Sequence, residues 1–182
     1  PRTNKKYEII KSDLSAEFEK IINYDISDLE PQIACPHTVD NVKPVSKVTG
    51  TKINQALIGT CTNGRIEDLK IASKILRGKK ISSKVRLLVF PASMEVFAQA
   101  MELGILQELV KSGAVIMNPG CGPCLGAHEG ALAPGEVCLS TANRNFKGRM
   151  GCKEAEVYLA SPATVAISSL YGEITDVRGD LK

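Results

Sequence analysis

No stretch of the 182 residues approaches eighteen consecutive apolar side chains, and no charged-then-apolar leader opens the chain. Neither a membrane span nor a signal peptide is expected from such a sequence. Charge of one sign is also scarce: 23 Lys and Arg against 20 Asp and Glu leave a net +3. That excess is too small and too dispersed to point to nucleic acid. Six cysteines are too few for a disulfide scaffold in a chain this long. Without a leader, they suit a reducing, cytoplasmic compartment, where thiolate ligation becomes the reading to test. There are only two histidines, His37 and His128, each without a partner nearby in sequence.

What is present suits one domain with an appendage. Hydrophobic content is 43%, enough for a core. The first residue is Pro1 rather than Met, so the chain is expected to begin inside something longer or to have been processed. Residues 1–50 carry only short apolar groups and are expected to form an arm or the remnant of a preceding domain. Within them "YEII" and "QIAC" suggest strands, and "LSAEFEKIINY" has a partial helical pattern.

Residues 51–182 have a different rhythm. "INQALIGT", "KVRLLVFP", "AVIMN", "EVCLST" and "AEVYLAS" are short apolar runs typical of buried strands. Between or after them, "GRIEDLKIASKIL", "SMEVFAQAMELGILQELVKSG" and "SPATVAISSLYG" have helical spacing. Ser93 and Ser161 stand where N-caps belong, and Pro162 at a first helical position. Alternating strands and helices predict an α/β fold: a three-layer α/β/α arrangement around a mainly parallel sheet, with helices on both faces.

In such a sheet the chemistry gathers beyond the carboxyl ends of the strands. Three loops qualify: "GTCTNGR", "NPGCGPCLG" and "STANRNFKGR". The second holds Cys121 and Cys124 in a C-x-x-C that two sulfurs can use on one metal centre. Alone, that spacing fits a zinc site, a redox pair, an iron–sulfur site or chance. Cys61 in the first loop makes three thiols. Structural zinc and electron-transfer clusters usually take four protein ligands. Three leave one metal position open for substrate, as Lewis-acid chemistry requires.

Together, in this order and spacing, "GTCTNGR", "NPGCGPCLG" and "NRNFKGR" resemble the third domain of the aconitase family. The resemblance runs from about residue 31 to the end and is closest to the large subunits of 3-isopropylmalate dehydratase and of homoaconitase. It implies that Cys61, Cys121 and Cys124 hold a [4Fe–4S] cluster whose fourth iron has no cysteine and binds substrate. It also implies Asn143 beside the cluster and Arg144 and Arg149 on substrate carboxylates. An arginine's planar fork suits a di- or tricarboxylic hydroxy acid better than a lysine does. Arg65 is a surface residue at a helix start, or at most a secondary contributor. His128 follows Cys124 by four positions, but the family pattern gives it no role. Cys138, in a predicted strand, is expected to be a buried apolar thiol; Cys35 and Cys152 also lie outside the triad.

The reaction implied is a reversible dehydration–rehydration, 2-isopropylmalate to 3-isopropylmalate in leucine biosynthesis. Homocitrate or citrate isomerisation is the alternative within the family. The family's catalytic base belongs to a swivelling domain that a small subunit supplies in this branch, so no catalytic base is expected in this chain. The partners expected are that small subunit, the preceding domains of a large subunit and a small hydroxy acid; the chain alone is expected to be inactive. The cluster is expected to be lost readily in air. Two readings from other classes stand beside this one: a C-x-x-C zinc or redox module, and a non-catalytic structural domain.

Overall fold

A computed structural model describes residues 5–179. Its strands are β1 (Gln32–Ala34), β2 (Val42–Pro44), β3 (Gln55–Gly59), β4 (Arg86–Phe90), β5 (Val115–Ile116), β6 (Val137–Ser140) and β7 (Glu156–Leu159). They form one sheet in the order β2-β1-β7-β6-β3-β4-β5. From β7 to β5 every neighbouring pair is parallel, whereas β1 runs antiparallel to both β2 and β7. Residues 32–44 therefore extend the sheet beyond β7. β3 is buried along its whole length, as a central strand of a parallel sheet must be.

The helices are α1 (Thr60–Asn63), α2 (Ile66–Leu76), α3 (Met94–Glu102), α4 (Ile105–Ser112) and α5 (Pro162–Tyr171). Their limits follow from side-chain chemistry. The Ser93 hydroxyl accepts from the Val96 N–H at the start of α3, and Ser161 does the same for Thr164 at the start of α5, with Pro162 in the first turn. Gly104, at φ 70°, separates α3 from α4, so the long apolar segment is two helices. α2 packs against α3, α4 and α5, which makes one helical layer.

The two faces of the sheet are covered differently. Ala56 and Ile58 of β3 and Leu87 and Val89 of β4 face the helices, in one core with Leu69, Leu109 and Val165. Their alternates Leu57, Leu88 and Phe90 face a second core with Cys124, Leu132, Cys138 and Met150. The sheet is α/β and mainly parallel, as expected. The second face, however, is covered by the irregular segments 117–136 and 141–155 rather than by helices. Their glycines and prolines oppose helix formation, and these same segments carry the cysteine and arginine motifs.

The predicted strand at 7–10 and helix at 14–24 do not form. Ile10, Leu14, Phe18 and Tyr24 are exposed. A short amphipathic segment gains little from helix formation unless its apolar face packs on something. The "QIAC" strand does form, as β1. "AVIMN" is paired over only two residues, Val115–Ile116.

At the amino edge of the sheet, Arg86 donates to both carboxylate oxygens of Glu136 at 2.8 and 2.9 Å. These bonds, with a smaller contribution from the Ala133 N–H, hold the Glu136 carboxyl below the 4.5 of an ordinary glutamate. A depressed carboxyl contributes stability that is complete above the unfolded value and is lost as pH falls through the folded one. Glu136→Gln should therefore be less stable than the parent at neutral pH, and the difference should close below about pH 4.5. Urea unfolding of both proteins between pH 3 and 7 measures this; a gap that persists undiminished at the acid end would contradict it.

Candidate cysteine and arginine site

Because β3, β5 and β6 are parallel, the loops that follow them leave one edge of the sheet. Cys61 lies beyond β3, Cys121 and Cys124 beyond β5, and Asn143, Arg144 and Arg149 beyond β6. The connection from β3 runs toward β4, while β6 lies on the other side of β3. The crevice between β3 and β6 is thus a topological switch point, the usual ligand position in open α/β sheets.

The turn into Cys61 is tight. Gly59 has φ 120° and Thr60 φ 64°, and Thr60 is the one non-glycine residue at positive φ among those described. A β-branched residue in that region is a true outlier, costing about 1–3 kcal/mol. Gly59 and Gly64 both press on the end of β4: an added Cβ would lie 2.0 and 2.5 Å from the Phe90 carbonyl oxygen. Cys61 itself is exposed. The Thr60 hydroxyl is buried and has no hydrogen-bond partner.

"NPGCGPCLG" folds into a 3-10 turn over Gly122–Leu125, with the Cys124 N–H donating to the Cys121 carbonyl at 3.1 Å. The two cysteines therefore share one turn, Cys121 exposed and Cys124 buried. Gly122, at φ 53°, lies on the Phe90 ring, 2.5 Å from where a Cβ would be. Beside this turn is a cavity of about 310 Å³ lined by Asn118, Gly120, Cys121, His128 and Glu129 among others.

The third loop is tied to the first. The Gly59 N–H donates to the Thr141 hydroxyl at 2.9 Å, and the Asn63 amide donates to the Thr141 carbonyl at 2.6 Å. Asn143 and Arg144 are exposed, while Asn145 is fully buried and donates to the Cys35 carbonyl at 2.8 Å. Arg149 turns inward, its Nη2 3.9 Å from the Cys124 sulfur. Its Nε is buried without a partner, as is Asn145 Oδ1. With Thr60 Oγ1, these are the three buried side-chain atoms left unpaired among the described residues. All belong to these loops, and each such atom costs about 1–3 kcal/mol unless something satisfies it.

The structure thus brings Arg149 to Cys124 and joins the Cys61 loop to the Thr141 loop. It does not gather the thiols around a single ion: among the described residues no three His, Cys, Asp or Glu side chains could hold one. Cys138 is fully buried in β6, and burial pushes its thiol up to about 12. Burial also raises Cys35. The Cys152 thiol donates to the Glu154 carboxylate and holds that carboxyl low. His128 stands 3.8 Å from Glu129 at the mouth of the cavity. Arg65 is the exposed N-cap of α2, its N–H donating to Asp68 at 3.0 Å. Sequence reasoning missed Thr60, Phe90 and Asn145. Thr60 and Asn145 lie within the quoted motifs and Phe90 ends a predicted strand, but nothing else marked them, since each works through backbone conformation or packing.

Residues 2–172 match the family model described as aconitase family (aconitate hydratase). The chain is 57% identical over 172 residues to a probable methanogen homoaconitase large subunit of Methanosarcina mazei, covering 94% of the chain and 43% of that relative. It is 54% identical over 169 residues to 3-isopropylmalate dehydratase large subunit 2 of Archaeoglobus fulgidus, covering 93% and 41%. With the 3-isopropylmalate dehydratase large subunit of Elusimicrobium minutum it shares 51% over 176 residues, covering 97% and 42%. The chain spans about two fifths of the length of these relatives.

The contact between Gly122 and Phe90 sets a stability test. Gly122→Ala forces a methyl into the Phe90 ring at positive φ and should cost about 1–3 kcal/mol. Gly120→Ala, whose Cβ would meet only the Asn118 carbonyl at 4.0 Å, should cost much less. Chemical denaturation of the two variants separates them; equal losses would mean that the ring contact does not matter.

Proposed function

The chain belongs to the aconitase family, and on that basis we propose that it is the cluster-bearing part of the large subunit of an iron–sulfur hydro-lyase. The reaction proposed is the isomerisation of 2-isopropylmalate to 3-isopropylmalate in leucine biosynthesis. A homoaconitase reaction on homocitrate is the second reading, favoured by the name of the relative at 57% identity. Cys61, Cys121 and Cys124 would hold a [4Fe–4S] cluster, with Asn143 beside it and Arg144 and Arg149 on the substrate carboxylates. When bound, such a cluster supplies an open iron that acts as a Lewis acid on a hydroxyl.

The residues present fit that group. Each cysteine of a cubane cluster binds a different iron, so the thiols need not meet at one ion. Gly122 keeps the turn between Cys121 and Cys124 flat on Phe90. Arg149 Nη2 stands beside Cys124, and its buried Nε has an open donor. The observation that carries the reading is this meeting of a guanidinium and a ligand-type cysteine, brought together from two loops. Arg149 can stabilise a thiolate on one side and bind a carboxylate on the other. Arg144, on the exposed part of the same loop, can supply the second fork that a dicarboxylate requires.

The base that takes the proton from carbon would come from a small subunit, and the remaining substrate contacts from the rest of a large subunit. The three curated relatives are each named as large subunits. No helix among the described residues is long and apolar enough to cross a membrane, and the six cysteines are all free. The free thiols are compatible with the cytoplasmic location we propose.

Anaerobic reconstitution with ferrous iron and sulfide tests the reading. The chain should take up iron and acid-labile sulfide in equal amounts, and Cys61→Ser, Cys121→Ser and Cys124→Ser should each abolish stable uptake. Zinc alone, or no metal, would favour a zinc or structural module instead. The loaded chain by itself should turn over no hydroxy acid. In a complete enzyme with its small subunit, Arg149→Lys should lower kcat/KM by about ten- to a hundred-fold. An unchanged kcat/KM would remove Arg149 from the site.

A further inference from the structure

Gln55 opens β3 at the edge of the sheet opposite the cysteine loops, and it is fully buried. Its Nε2 donates to the Gly130 carbonyl at 2.8 Å. Its Oε1 accepts from Arg86 Nε and Nη2 at 3.3 and 3.2 Å. Arg86 is itself held by the two bonds to Glu136, whose Oε2 also accepts from the Ala133 N–H. The side chains of β3 and β4 and the turn before β6 thus form one hydrogen-bonded unit whose inner end is Gln55.

Gly130 transmits that unit to the cysteines. It has φ 85°, and a Cβ there would lie 2.4 Å from Leu88 Cδ1 and 3.3 Å from Pro123 Cγ. Pro123 stands between Cys121 and Cys124 in the 3-10 turn. The segment 118–130 has no strand or helix partner of its own, so few backbone bonds hold it to the sheet. At its start, the Met117 N–H donates to the Val89 carbonyl. At its end, the carbonyl of Gly130 is bound by Gln55.

We propose that Gln55, braced by Arg86 and Glu136, is a positioning residue that pins the 118–130 segment and so fixes Cys121 and Cys124. An amide is the side chain that fits this place. It accepts from the guanidinium and donates to the carbonyl at once. A carboxylate would accept but could not donate, and an apolar side chain would do neither.

The test uses Cys124, which is buried and can be alkylated only when its turn opens. Cys138 accepts from Gln55 itself at 3.9 Å and cannot serve as a control. Cys35, buried just beyond β1 and outside the Gln55 unit, reports opening of the rest of the sheet. Gln55→Glu and Gln55→Met should raise the iodoacetamide alkylation rate of Cys124 in the metal-free chain by about ten-fold, well beyond any change at Cys35. Amide hydrogen exchange over 118–130 should speed up in parallel, while 86–90 stays as in the parent. If both substitutions prevent folding, Glu136→Gln loosens the outer end of the same unit and should raise the Cys124 rate by a clearly larger factor than the Cys35 rate, which follows the loss of global stability. An unchanged Cys124 rate in a folded variant overturns the proposal. So does an equal rise of Cys124 and Cys35, which would mean general destabilisation. Neither readout requires metal, so this outcome is separate from the fate of the iron–sulfur reading.

Discussion

The end of β4 is crowded on every side. Gly59 and Gly64 approach the Phe90 carbonyl more closely than any residue with a Cβ could, and Gly122 lies on the Phe90 ring. Two loops that begin far apart in sequence therefore share one surface, and the shared surface exists because both lack side chains there. Close packing of this kind has little tolerance, since cores respond to a single added methyl group. The Cys61 turn and the Cys121–Cys124 turn keep their places because Phe90 fills the space between them.

Strain and unpaired polar atoms collect at the same edge. Thr60 adopts a conformation that disfavours β-branched residues, and its hydroxyl has no partner. Asn145 and Arg149 each bury an unpaired atom. Elsewhere the described interior is well satisfied: Ser112 and Ser169, for example, bond carbonyls one turn back in their helices. Local cost concentrated in one region, with regular packing around it, marks that region as the candidate site.

The asymmetry of the sheet has a physical basis in the same loops. On the helical side, aliphatic side chains from α2 to α5 complete the core. On the other side, segments with glycine at positive φ can lie close to the strands but cannot supply the same apolar bulk. Polar ties make up the difference, with Gln55 and Arg86 at one edge and Thr141 and Asn63 at the other. Helices would have covered that face better, but they could not have put short turns bearing cysteine and arginine so near the strand ends.

The sequence by itself determined the alternation of strands and helices, the caps at Ser93 and Ser161, and the edge at which the three motifs emerge. Each of these is local: a periodicity, a hydroxyl before a helix, or a loop after a parallel strand. The placement of the motif residues at that edge was legible for the same reason, since Cys61, Cys121, Cys124, Asn143, Arg144 and Arg149 lie in segments that follow parallel strands. Tertiary structure alone decided the rest. That loops cover the second face depends on where segments without helical preference find space. That residues 7–24 stay irregular depends on the absence of a surface for their apolar side chains among the described contacts. The contact of Arg149 with Cys124, the role of Phe90 as a floor and the reach of Gln55 to Gly130 join residues 25 to 75 positions apart. No local pattern encodes such pairs, because hydrogen bonds and close packing depend on distance in the folded chain rather than on separation along it.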